Sequence, residues 1–143
     1  MRKILALLFV LISFFWAPHF AVPKEHRAKE HRTKEVITIA SPSRGEKVGA
    51  ELIVSGTANK ANEVWVIVHP GETPDYWVQP AASVKDGVWG VQISIGRPDN
   101  IDSGKHFEIM AIAGPHKQLA PAQIIKLWPS ARSKSKIILI TRK

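Results

Sequence analysis

From Val36 onward the apolar residues recur with a period of two, not 3.6. The stretch VWGVQISI, residues 88–95, is the clearest case. Trp89, Val91, Ile93 and Ile95 fall on one side, and Val88, Gly90, Gln92 and Ser94 on the other. Side chains alternate across a strand, so this pattern builds a sheet with one buried face and not the apolar stripe of a helix. KHFEIMAIA (105–113) repeats the pattern with Phe107, Ile109, Ala111 and Ala113. EVWVIVH (63–69) is apolar on both faces, which predicts a central strand. VITIA (36–40), AELIVSG (50–56), DYWVQP (75–80) and KIILITR (136–142) complete seven predicted strands. Pro80 closes DYWVQP and suits an edge.

Turn residues fall between these runs, as SPSRG (41–45), PGETP (70–74), Asp86-Gly87 and GRPDNIDSG (96–104). The connection 114–135 contains Pro115, Pro121 and Pro129 and is long for a sandwich loop, which predicts a short extra strand around 123–127. The chain has no Cys, so a buried core must supply what disulfides give many small exported domains. About 108 residues are enough for one. Seven short strands of this spacing predict an all-β fold, an immunoglobulin-like β-sandwich, with a small β-barrel as the alternative.

The residues before Val36 are of another kind. Arg2 and Lys3 precede ILALLFVLISFFW (4–16), which is apolar except for Ser13 and shorter than the roughly 20 residues of a spanning helix. This predicts a signal peptide over 1–21, cut after Ala21, and an exported protein, periplasmic or extracellular. His19 is bulky for the cleavage site, and the alternative is an uncleaved N-terminal membrane anchor. Residues 22–35 form a charged spacer in which K-E-H-R-x occurs twice and begins again. Glu25–Lys29 and Glu30–Lys34 are favourable i,i+4 pairs, but Ala28 is the sole aliphatic residue of 24–35 and leaves no apolar face to dock. His26 and His31, five apart, share no face on a helix or a strand, so no metal site is expected there.

The formal charge of +8 is unevenly placed. Residues 36–114 carry six basic and nine acidic residues, whereas 115–143 carry seven basic and none acidic. A chain-wide nucleic-acid footprint is not predicted. Arg132, Lys134 and Lys136 alternate with serines and predict a positive rim near Trp128, suited to weak contact with an anionic surface.

No catalytic constellation stands out. No G-x-S-x-G elbow, H-E-x-x-H pair or phosphate-cradling loop occurs. His69, His106 and His116 are widely spaced, and turn chemistry accounts for Asp99, Asn100 and Asp102 better than a calcium loop does. No enzyme activity, cofactor or metal is expected. Tyr76 and Trp77 are adjacent on one strand, so they face opposite ways and one lies outside the sandwich core. An exposed ring there, with Trp128, would suit stacking on sugars or anchoring a protein. The competing expectation is that the long connection folds over the exposed ring.

VSGTA (54–58), VWVIVHP (64–70), YWVQP (76–80), DGVW (86–89), ISIG (93–96) and GKHFEIMAIA (104–113) together resemble compact bacterial immunoglobulin-like domains appended to exported or membrane-tethered proteins. The resemblance covers nearly all of 36–143 but lacks the inter-sheet Cys pair of antibody domains. A buried Trp, Trp65 or Trp89, is expected in the middle. It implies a binding or spacer module, not a reaction. The expected function is a non-catalytic binding module of the bacterial envelope with a protein or envelope-polymer partner. A glycan- or cell-wall-binding module using Tyr76 or Trp77 and Trp128 is the alternative. A small hydrolase is the third reading.

Overall fold

The structure, a computed structural model, describes residues 36–143. The expected signal peptide and spacer lie outside the described residues. Among the described residues eleven strands follow one another as β1 (Ile37–Ser41), β2 (Lys47–Val48), β3 (Glu51–Ala58), β4 (Glu63–Pro70), β5 (Tyr76–Val78), β6 (Ala82–Ser83), β7 (Val88–Ser94), β8 (His106–Pro115), β9 (Ile124–Ile125), β10 (Ala131–Lys134) and β11 (Ile138–Arg142). A 3-10 turn, Asn100–Asp102, precedes β8. Among the described residues no helix is long and apolar enough to cross a membrane.

The strands form two open sheets. The smaller has the order β1-β3-β7; the larger has the path β2-β11-β8-β4-β5-β9, with β6 beside β4 and β10 beside β8. The first, second and fifth main strands share one sheet, and the third, sixth and seventh share the other. Two such open sheets are compatible with a β-sandwich, and no closed barrel forms. β1 pairs with β3, and the chain then crosses to the other sheet, where β2 runs parallel to β11. The crossing follows the cis Ser41–Pro42 peptide.

The main core lies between the sheets, where Val54, Val64, Val66, Trp89, Ile93, Phe107, Ile109 and Ile140 are buried together. The alternation expected of β7 and β8 is present. Trp89, not Trp65, is the buried indole, 2% exposed. Gly56 makes room for it: a Cβ there would lie 1.9 Å from the Thr38 carbonyl oxygen and 3.0 Å from the Trp89 ring. The Asp86-Gly87 turn has φ values of 52° and 77°, and Lys85 and Val88 exchange both backbone hydrogen bonds across it. That is the left-handed geometry a two-residue hairpin requires.

A second core lies on the outer face of the larger sheet. Ile67, Val78, Met110, Ile112 and Leu119 are buried there, with Trp65, Tyr76, Ile125 and Trp128 packed against them. The long connection between β8 and β10 folds over this face. Its extra strand, β9, pairs with β5 as Tyr76↔Ile125 and Trp77↔Ile124. β5 is therefore not the sheet edge that Pro80 suggested. Between β5 and β6 the register on β4 shifts by one residue, from Val68↔Trp77 and Ile67↔Val78 to Val64↔Ala82 and Glu63↔Ser83.

The C-terminal strand also departs from expectation. Residues 131–142 run along β8 as two pieces, β10 and β11. Ser135 bridges the gap: its N–H donates to the Ala111 carbonyl at 2.8 Å, and its Oγ accepts from the Ala111 N–H at 2.9 Å. Ile140 is fully buried, but Ile137 and Leu139 are each 38% exposed, because the long connection stops short of them. Arg142 is buried and donates to the carbonyls of Lys143 and Asp99.

Candidate functional site

The two sheets differ in width, and that difference makes a cleft. Three strands cannot cover a path of six, so the inner face of β5 projects beyond β7. Loops 70–75 and 96–105 close the sides. The resulting cleft has a volume of about 430 Å³, within the usual range of small-ligand sites. Val68 and Phe107, both buried, form its floor. Trp77 stands at its margin and is 40% exposed. The β5 backbone holds it between Val68 of β4 and Ile124 of β9.

Gln79, just beyond β5, also lines the cleft. Its backbone N–H donates to Val66, and its Oε1 accepts from the Ser94 N–H at 3.0 Å. The side-chain amide thus ties the overhanging strand to the end of β7. Its nitrogen retains two donor hydrogens, for which no acceptor is found among the described residues.

A run of four charged residues secures the loops. Asp102, 7% exposed, accepts from the Arg97 N–H at 2.8 Å and from the Arg97 guanidinium at 3.2 Å. Its carboxylate also meets Lys105 Nζ at 3.2 Å, and Lys105 meets Glu72 at 3.1 Å. Loop 96–105 is joined to loop 70–75 through this chain. The Arg97 side chain and then its backbone N–H hold the Asp102 carboxyl well below the usual carboxylate range, against the opposing effect of burial. The same hydrogen bond raises Arg97, and Glu72 followed by Asp102 raises Lys105. Gly96, at φ +67°, leaves space for the carboxylate: a Cβ would lie 2.8 Å from Asp102 Oδ2. Asp99 caps the 3-10 turn by accepting from the Ile101 N–H. The acidic residues of this loop are thus engaged in holding it, and no group of three metal-ligating side chains occurs among the described residues.

The six candidate residues from the sequence are separated by the fold. Trp77 lies on the cleft. Tyr76 faces the opposite side, stacked on His69 at 4.0 Å between ring centroids and met edge-on by Trp128 at 4.8 Å. Trp128 also meets His69, at 5.9 Å. The long connection covers Tyr76, as the competing expectation had it. Trp128 belongs to that cover and does not stand as a free ring beside a positive rim. Arg132 and Lys134 project from β10, and Lys136 from the gap before β11; all three are exposed. The Arg132 guanidinium lies over Gly114, where a Cβ would be 2.2 Å from its Nε.

Trp77 was legible from its adjacency to Tyr76. Gln79, Arg97, Asp102, Lys105 and Glu72 were not identified as one site. The partial signal was the placement of Arg97, Asp102 and Lys105 around a loop bounded by Gly96 and Gly104. No family model matches the chain, and no curated protein matches it.

Proposed function

We propose that this chain is a non-catalytic binding module of the bacterial envelope, which takes its ligand in the cleft beside Trp77. The observation that carries the reading is the 40% exposure of Trp77 at the margin of a cleft whose floor is apolar. A large ring held by a strand ladder offers contact area with little motion left to lose on binding. The export pattern of residues 1–21 and the resemblance of 36–143 to immunoglobulin-like envelope domains support an envelope location. The non-catalytic part of the reading is supported by how the cleft's charges are engaged. Asp102 is committed to Arg97 and Lys105, and Glu72 to Lys105, which suits a framework better than proton transfer.

Hydrogen exchange of the protein with a solubilised envelope fraction tests this reading. Segments 70–79 and 94–107 should be protected in the wild-type protein and unprotected in Trp77→Ala. Protection confined to other segments would refute the cleft as the binding site. Chemical turnover of an envelope component by the purified protein would refute the non-catalytic assignment.

A further inference from the structure

The chemistry around Trp77 also narrows the class of ligand, on the assumption that the cleft is the binding site. We infer that the cleft takes a neutral saccharide. Its charges are mutually compensated: Arg97 and Lys105 face Asp102 and Glu72 in one continuous network, and Asp75 is paired with Lys126. A strongly charged ligand would meet no free counter-charge and would have to break a pair to gain one. The uncharged features are those that a sugar ring uses. Trp77 offers an aromatic face for the C–H side of a pyranose, and Val68 and Phe107 lie beneath as apolar floor. Gln79 is fixed by the hydrogen bond from Ser94 N–H to its Oε1, so its amide nitrogen is held ready to donate to a hydroxyl. The Glu72 carboxylate, whose side chain is 65% exposed, can accept hydroxyl hydrogen bonds without giving up Lys105.

The basic segment 115–143 points elsewhere. Its exposed cations at Arg132, Lys134 and Lys136 lie on β10 and the gap that follows it, whereas the cleft is built from β4, β5, β7, β8 and two loops. An anionic polymer drawn to those cations would therefore occupy a different surface, with a different salt dependence.

Titration of the 15N-labelled protein with neutral gluco-, manno- and N-acetylglucosamine oligosaccharides tests the inference by following the Trp77 indole N–H. That signal, assigned by its loss in Trp77→Phe, should move while the Trp89 indole stays still. Affinity should change less than about twofold when salt is raised about tenfold. It should fall more than about tenfold in Trp77→Ala and be partly retained in Trp77→Phe. Gln79→Ala should weaken it by a smaller factor. The inference is overturned if none of these sugars moves the Trp77 signal, or if only an anionic saccharide does so and added salt abolishes the effect. Envelope-dependent protection of the cleft without sugar binding would sink the saccharide assignment alone. Absence of both would remove the binding-site reading as well.

Discussion

Tyr76 and Trp77 are consecutive residues of a three-residue strand, yet the two sides of the larger sheet give them opposite surroundings. On the outer side, the connection between β8 and β10 lays Trp128 against Tyr76 and His69 and closes a second core. On the inner side, the opposing sheet ends at β7 and leaves Trp77 at an open cleft. The difference lies in the layer that each side meets, because the strand itself is common to both. An aromatic ring on a sheet becomes packing or a contact surface according to whether another element reaches it.

The largest expected effect tests the packed side of this comparison. Trp128→Ala should lower unfolding free energy by about 2–3 kcal/mol, somewhat less than the ~3–5 kcal/mol of a fully buried ring. Tyr76→Ala should act in the same direction by a similar amount. Trp77→Ala should cost no more than about 1 kcal/mol. Urea unfolding of the three variants makes the comparison directly, and an equal loss at positions 76 and 77 would break it.

Asp102→Asn should come next, and its effect should depend on pH. The folded state holds this carboxyl below its ordinary value, so its contribution is present above a pH of about 4 and is lost as pH falls through the folded value. The melting-temperature gap between the wild-type protein and the variant should therefore be widest near neutrality and narrow in acid. A gap that stays constant with pH would show that the Arg97 and Lys105 pairs add nothing to stability.

Lys126→Ala sharpens the contrast at the one described ion pair that joins the outer cover to a cleft loop, between Lys126 and Asp75. Exposed pairs of this kind contribute roughly 0.2–1 kcal/mol. Stability should change within that range, while exchange of loop 70–75 should quicken. The smallest effect is expected from Arg132→Gln, Lys134→Gln and Lys136→Gln combined. Among the described residues no strand pairs with the free edge of β10, and charges on such an edge discourage pairing with other chains. Sugar binding should be unchanged and thermal stability nearly so, with self-association at high concentration increased. Salt-sensitive binding to anionic vesicles that disappears in this variant would show that the rim is also a contact surface.

The main strands were legible because their alternation is strong. β7 and β8 keep the predicted faces, and β4, apolar on both faces, has a core on each side. The two-residue strands β2 and β6 carry too few residues for any period to show. β10 was obscured because it alternates Ser with Lys and Arg, a pattern that reads as solvated. Ser133 and Ser135 are nevertheless buried, and the Ser135 hydroxyl is occupied by backbone groups. The cleft depends on strand order. Trp77 and Ser94 are distant in sequence, and they face one space only because the narrower sheet ends where it does. Adjacent aromatics disclosed that one ring would be exposed on some face, but not that a cleft would lie beneath it.

The parallel pairing of β2 with β11 bears on how this domain carries load. Thr141 N–H donates to the Glu46 carbonyl and Lys143 N–H to the Val48 carbonyl, so the early and late parts of the domain are joined side by side. In a parallel pair the start of one strand and the end of the other lie at opposite ends. Tension applied through residues 36 and 143 would load the pairing of β1 with β3 first and then slide β2 against β11, whose hydrogen bonds would have to fail together instead of opening in turn. A tether pulled at both ends would meet its resistance at this short seam, and because Arg142 of β11 also bonds Gly104 and Lys105, the same load would reach the loop that closes one side of the cleft.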